Sequence, residues 1–159
     1  MAKSDPATVA IVSQKGGSGK TTLAVHIATR AAQGGHQSCV VDTDPQASAA
    51  AWSDWRGDFL PVVVTSPPAR LGRTIDNARK QGMDFVVIDT PPHADAAARE
   101  AIKAADIVLI PTRLRAFDLA ALEPIVDLVA LARTPAFVVF NAVPAGAKLL
   151  TEEAERVAK

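Results

Sequence analysis

The chain of 159 residues has no tyrosine, one cysteine, and only five phenylalanines and two tryptophans. Without tyrosine it is unsuited to be an autokinase that modifies its own tyrosines. A single cysteine excludes a disulfide framework and argues against an iron–sulfur cluster held by paired cysteines from two subunits. Cys39 sits in the apolar run Ser38-Cys39-Val40-Val41, so it reads as a small core residue in a reducing compartment. Aromatic side chains make up 4% of the chain against 48% hydrophobic residues overall. The core is therefore expected to be built from small and β-branched side chains, as in buried parallel strands under alanine-rich helices. Neither sign of charge is in excess, with 17 basic and 17 acidic side chains; global charge points neither toward nucleic acid nor away from it. No signal peptide opens the chain and no apolar run approaches membrane-spanning length, so a cytoplasmic location is expected.

Short β-rich runs alternate with helical stretches. The expected strands are Thr8–Ser13, Ser38–Asp42, Pro61–Thr65, Phe85–Asp89, Ile107–Pro111 and Ala136–Asn141. The expected helices are Lys20–Gln33, Ala47–Trp55, Ala69–Gln81, Ala94–Ala104, Phe117–Ala132 and Ala147–Lys159. In the fifth, Leu119, Leu122, Ile125, Val126 and Val129 fall at helical spacing and predict one apolar face. Strict alternation of this kind predicts a single α/β domain over residues 1–159, a parallel sheet with helices on both sides. Ligands of such sheets sit beyond the carboxyl ends of the strands.

The first strand is followed by Gln14-Lys15-Gly16-Gly17-Ser18-Gly19-Lys20-Thr21-Thr22, and a helix begins there. Strand, glycine-rich turn and helix start are the context a phosphate-binding loop requires. Gly16, Gly17 and Gly19 let backbone N–H groups turn inward around an anion, and the helix points the positive end of its dipole at the same place. Lys20 is placed to reach the β- and γ-phosphates of a nucleotide, and the Thr21 hydroxyl to ligate Mg²⁺. The position that usually opens this motif with glycine is Gln14, with Lys15 beside it.

Two acidic motifs follow. Asp42 and Asp44, in Val41-Asp42-Thr43-Asp44-Pro45, end the second strand. A pair of carboxylates there is costly unless it serves a cation or a polar site; Asp44 before Pro45 also fits a helix N-cap. Asp89 ends the fourth strand in Val86-Val87-Ile88-Asp89-Thr90-Pro91-Pro92, where a carboxylate can hold Mg²⁺ directly or through water.

Lys15-Gly16-Gly17-Ser18-Gly19-Lys20-Thr21-Thr22, Val41-Asp42-Thr43-Asp44-Pro45-Gln46 and Val87-Ile88-Asp89-Thr90-Pro91-Pro92, in this order, resemble the ParA group of deviant Walker A ATPases. These proteins move plasmids, chromosomes and other cargo in bacteria. The resemblance covers nearly the whole chain, including the tract from Ile110 to Leu119 and the strand ending at Asn141. It implies a three-layer P-loop fold, ATP with Mg²⁺, an ATP-dependent homodimer and slow hydrolysis stimulated by a ParB-like partner or cargo adaptor. It further implies that Gly16 to Thr22, Ser18 included, hold the nucleotide, with Thr22 near the α-phosphate. Lys15 corresponds to the signature lysine that crosses the dimer to the other subunit's ATP. Asp44 corresponds to the residue that positions the attacking water, Asp42 and Asp89 to acidic residues near the metal alongside Thr21, and Asn141 to an asparagine contacting adenine.

Relatives of this kind continue for about one further strand and one or two helices, so the chain is expected to lack a C-terminal part. That part completes the adenine pocket and often carries the basic residues for nonspecific DNA, and with them a nucleoid-associated location. Arg113 and Arg115 read either as solvated loop charges or as contacts to phosphate, of nucleotide or DNA, and the basic third helix is expected to be a solvated face. His26 is expected to be packed in the first helix, and Trp52 and Trp55 at a core or dimer edge. Two other functions belong to the same fold. A membrane-surface regulator similar to MinD needs a basic amphipathic helix, whereas the run Thr151-Glu152-Glu153-Ala154-Glu155 is acidic. A metabolic ligase similar to dethiobiotin synthetase has no need of Lys15.

Overall fold

Strand β2, Ser38–Asp42, is buried at every one of its positions, which a strand with one wet face could not be. In a computed structural model, which describes residues 7–57, 59–147, 151–152 and 154–155, it lies inside a sheet flanked by β3 (Val62–Thr65) and β4 (Phe85–Asp89). The other strands are β1 (Ala7–Ile11), β5 (Ile107–Thr112) and β6 (Ala136–Phe140). Their order is β3-β2-β4-β1-β5-β6, and every pairing is parallel.

Successive side chains of a strand point to opposite faces, and each face has its own core. On one, Ile11, Val40 and Val87 meet Ala24, Val25 and Ala28 of α1 (Lys20–Gln33) and Ala49 of α2 (Ser48–Arg56). On the other, Val12, Val41, Val86, Ile88 and Ile110 meet Leu71 and Ala78 of α3 (Leu71–Lys80) and Ala101 and Ile102 of α4 (Asp95–Ala104). The alanines let the helices sit close to the sheet, so few aromatics are needed. This is the expected three-layer P-loop architecture.

The expected fifth helix is two helices, α5 (Ala116–Ala120) and α6 (Glu123–Ala132). Pro124 is the cause: it has no N–H to donate to the turn before it, and it is tolerated only in the first turn of a new helix. Leu122, Ile125 and Val129 face the core as expected, but Val126 is 48% exposed because it lies one residue off that face. A 3₁₀ turn, Pro68–Arg70, precedes α3. Most of the expected last helix, Ala147–Lys159, lies outside the described residues; Thr151, Glu152, Ala154 and Glu155 are helical.

Register brings the motif residues together. Asp42 pairs with Asp89, Asp89 with Ile11 at the end of β1, and Thr112 at the end of β5 with Phe140. The carboxyl ends of β2, β4, β1, β5 and β6 therefore share one edge of the sheet.

Candidate functional site

From the end of β1, residues 14–19 arch over that edge before α1 begins. The arch requires left-handed backbone at Gly17 (φ 71°) and Gly19 (φ 95°), a region that residues with a Cβ rarely enter. Gly19 has a second reason to be glycine. A Cβ there would clash with Asn141 Nδ2.

Asn141 follows β6. Its Nδ2 donates to the Ser18 carbonyl at 2.9 Å, and its Oδ1 accepts the Ala142 N–H at 2.9 Å. The residue expected at adenine thus fastens the loop to the sheet. Nothing in the spacing of 123 residues forecasts this bond.

Lys20 is only 7% exposed, and its Nζ donates to the Lys15 carbonyl at 3.1 Å. Burial holds its pKa below the ordinary value, while Asp89 and Asp44 pull the other way. It forms no ion pair among the described residues. A buried cation in that position is completed by an anion. Beside it opens a cavity of about 280 Å³, lined by the loop glycines, Lys20, Thr21, Thr22, Asp44 and Pro92.

At the end of β4 lies Asp89, 1% exposed, with both carboxylate oxygens buried and the Thr21 hydroxyl and Lys20 beside it. Burial pushes its pKa up to about 6; the Thr21 hydroxyl and Lys20 work against that rise, and the charges of Asp42 and Asp44 add to it. A buried carboxylate whose one nearby donor is the Thr21 hydroxyl is held as an anion by positive charge beside it, from Lys20 and from any cation bound there. A metal fits that requirement.

Asp42 and Asp44 divide their work differently from expectation. Asp42, 1% exposed, accepts the Asp44 N–H at 3.0 Å with Oδ1 and the Ala49 N–H at 3.0 Å with Oδ2. Its carboxylate anchors the first turn of α2, so both oxygens expected near a metal already have backbone donors. Burial still raises its pKa, against these bonds. Asp44 does not cap α2, which starts at Ser48. Its Oδ1 closes a turn by accepting the Gln46 N–H at 2.9 Å, and the side chain lines the cavity.

Lys15 stands at the loop entrance, its side chain 42% exposed, with Nζ 3.7 Å from Asp118 Oδ1. Residues 15 and 118 are too far apart in the chain for spacing to signal this pair. Gln14 ties the loop to the β4–α4 turn: its Nε2 donates to Asp95 Oδ1 at 2.6 Å, and its carbonyl accepts the His93 N–H at 3.2 Å. His26, expected to be packed, is exposed, and its Nδ1 lies 2.7 Å from the Thr22 carbonyl. Trp52 carries the Arg56 guanidinium 4.6 Å from its ring centre, while Trp55 is 89% exposed.

Comparison with known proteins agrees with this geometry. The "Maintenance of carboxysome distribution protein A" of Gloeobacter kilaueensis is 40% identical over 123 residues, covering 74% of this chain and 54% of that protein. The "Chromosome-partitioning ATPase Soj" of Thermus thermophilus is 28% identical over 151 residues, covering 77% of this chain and 59% of that protein. The chain thus spans between half and three-fifths of the length of these two relatives. A putative plasmid partition protein from Borrelia burgdorferi, solved with AMPPNP, superposes with a TM-score of 0.77 at 21% identity, covering 96% of this chain and 84% of that one; that likeness is one of fold. Residues 9–159 match the family described as "CobQ/CobB/MinD/ParA nucleotide binding domain", and the chain belongs to that family.

Proposed function

We propose that this chain is an ATP-hydrolysing switch of the ParA type, in which ATP and Mg²⁺ close two copies into a dimer that positions a cargo. The observation that carries the reading is the division between two lysines. Lys20 is buried inside the loop, whereas Lys15 sits exposed at its rim with no task toward a phosphate held in cis. A ligase using the same fold leaves Lys15 unemployed; a dimer in which it meets the other subunit's triphosphate employs it.

In this reading the inward N–H groups of Gly16 to Thr22 and the Lys20 ammonium hold the β- and γ-phosphates, and the helix dipole of α1 adds to them. Thr21 and Asp89 would hold Mg²⁺, which when bound neutralises charge on those phosphates. Among the described residues no three His, Cys, Asp or Glu side chains converge as a protein-only cage would need, which suits a cation that takes its other oxygens from phosphate and water. Asp44 accepts a hydrogen bond from the attacking water and orients it. Asn141 keeps the loop in register, and a contact from it to adenine belongs to the same reading.

The names of the relatives favour partition or organelle positioning over biosynthesis. A ParB-like activator or cargo adaptor, nonspecific DNA and a nucleoid-associated location are part of the same proposal. The deciding experiment is sedimentation of Lys15→Ala with and without ATP. ATP binding should persist while ATP-dependent dimerisation and phosphate release fall; a variant that dimerises and hydrolyses like the parent would overturn the reading.

A further inference from the structure

Arg113 directly follows β5, and β5 pairs with β1, so the fold sets it beside the phosphate loop that follows β1. Its Nη2 stands 3.5 Å from where a Cβ on Gly17 would lie. The guanidinium thus stands against the loop at Gly17, at ordinary van der Waals distance from that point. Arg113 is half-buried and pairs with no carboxylate among the described residues. With Lys15, Gly16, Ser18, Thr112 and Asp118 it lines a recess of about 20 Å³. Two cations thus face one carboxylate there, and Asp118 is engaged with Lys15.

A second observation concerns the wall of the same recess. Ser18 is 4% exposed, yet its Oγ is buried without a hydrogen-bond partner. A buried hydroxyl left unpaired is costly, and such groups are normally satisfied by protein, water or a ligand. The recess admits little more than one oxygen-sized group. A hydroxyl donor, a guanidinium and an ammonium around an oxygen-sized space match a phosphate oxygen arriving from outside the loop.

We infer that Arg113 is a second triphosphate-directed cation, acting together with Lys15 on the nucleotide of the partner copy. The inference rests on the dimeric reading above and adds a residue to it. The nucleotide held in cis lies in the larger cavity on the inner side of the loop, which Arg113 does not line. Its position beside Lys15 directs it to whatever Lys15 meets. A planar guanidinium can clamp two phosphate oxygens, which an ammonium cannot, so lysine should be a poor substitute.

The test compares Arg113→Ala and Arg113→Lys with Arg115→Ala, which removes an exposed charge two residues away, and with Lys20→Ala. Sedimentation with ATP, steady-state phosphate release and thermal unfolding are measured on the full chain. Arg113→Ala should lower ATP-dependent dimerisation and kcat by about tenfold or more without lowering Tm, Arg113→Lys should restore less than half of either, and Arg115→Ala should match the parent. Removing Lys15 and Arg113 together should cost less than the product of the two single losses, because both address one phosphate. If Lys20→Ala abolishes ATP binding but Arg113→Ala behaves like Arg115→Ala, Arg113 is a solvated charge and the dimeric ATPase reading survives. If Lys20→Ala binds ATP like the parent, the nucleotide site itself is misplaced and this inference falls with it.

Discussion

Lys15 Nζ and Asp118 Oδ1 lie 3.7 Å apart, an ion pair that draws the lysine back against its own chain. The pair joins the entrance of the phosphate loop to α5, two segments brought together because β1 and β5 are neighbours. A lysine meant for a partner's triphosphate must leave this carboxylate first.

Asp118→Asn should therefore favour the dimer. The side chains are 42% and 17% exposed, and ion pairs of that kind contribute about 0–1 kcal/mol. ATP-dependent dimerisation should strengthen by up to about fivefold at low salt, with a smaller gain at high salt, where the pair is screened. Sedimentation across a salt series measures this, and weaker dimerisation by the variant would count against a restraining role.

Asp89 makes stability depend on pH in the absence of ligand. Its native pKa of about 6 lies above the ordinary 3.8, so the native state binds the proton more tightly than the unfolded chain does. The resulting stabilisation is full below about pH 4 and is lost as pH rises through about 6. Asp42 is shifted in the same direction, so the Asp89→Asn variant is needed to isolate the effect. Thermal unfolding without nucleotide or metal should show the parent losing stability from about pH 4.5 to 7, with a flatter slope for Asp89→Asn. Mg²⁺ with ATP should reverse the slope in the parent only. Equal slopes for the two proteins would remove Asp89 from the account.

Gly19 and Asn141 occupy one space. Asn141→Ala leaves the Ser18 carbonyl without its donor, a loss of about 0.5–1.5 kcal/mol in loop order, and should weaken ATP binding several-fold. Gly19→Ala adds a clash with the Asn141 amide and strain at φ 95°. The double variant relieves the clash but not the strain. ATP titrations should therefore find it tighter than Gly19→Ala and weaker than Asn141→Ala. A double variant no better than Gly19→Ala would mean that backbone strain alone governs the site.

Much of this was legible in the sequence because local patterns carried it. The phosphate loop, the buried strands and their three-layer packing follow from runs such as Val86-Val87-Ile88 and from glycines at 17 and 19. The break before Pro124 was equally local, but the apolar spacing from Leu119 to Val129 hid it. Contacts between distant segments were not legible. The Asn141–Ser18 bond, the Lys15–Asp118 pair and the placement of Arg113 all depend on strand order, which short-range spacing does not encode. The roles of Asp42 and Asp44 also turned on geometry, because only the folded chain tells which carboxylate points into α2.

That difference gives two carboxylates, two residues apart, opposite phenotypes. Asp42 supplies both of its oxygens to backbone N–H groups of Asp44 and Ala49. Removing them strands the Asp44 donor ahead of α2 and the fully buried Ala49 donor in its first turn, at about 1–3 kcal/mol. Asp42→Ala should thus unfold several degrees below the parent whether or not nucleotide is present, and lose activity through the fold. Asp44 gives only one bond, to the exposed Gln46 N–H, so Asp44→Ala should keep its Tm within about a degree, since such surface changes are worth about 0.5 kcal/mol or less. It should also still bind ATP and Mg²⁺, because Lys20, Thr21 and Asp89 remain. What it loses is the carboxylate that lines the cavity beside Lys20, the acceptor proposed for the attacking water. Phosphate release should nearly stop and ATP-bound dimer should accumulate. Thermal unfolding and phosphate release, measured on both variants, separate the two roles. If Asp42→Ala is as stable as the parent, or Asp44→Ala hydrolyses at the parental rate, the assignment of one carboxylate to the fold and the other to the reaction is wrong.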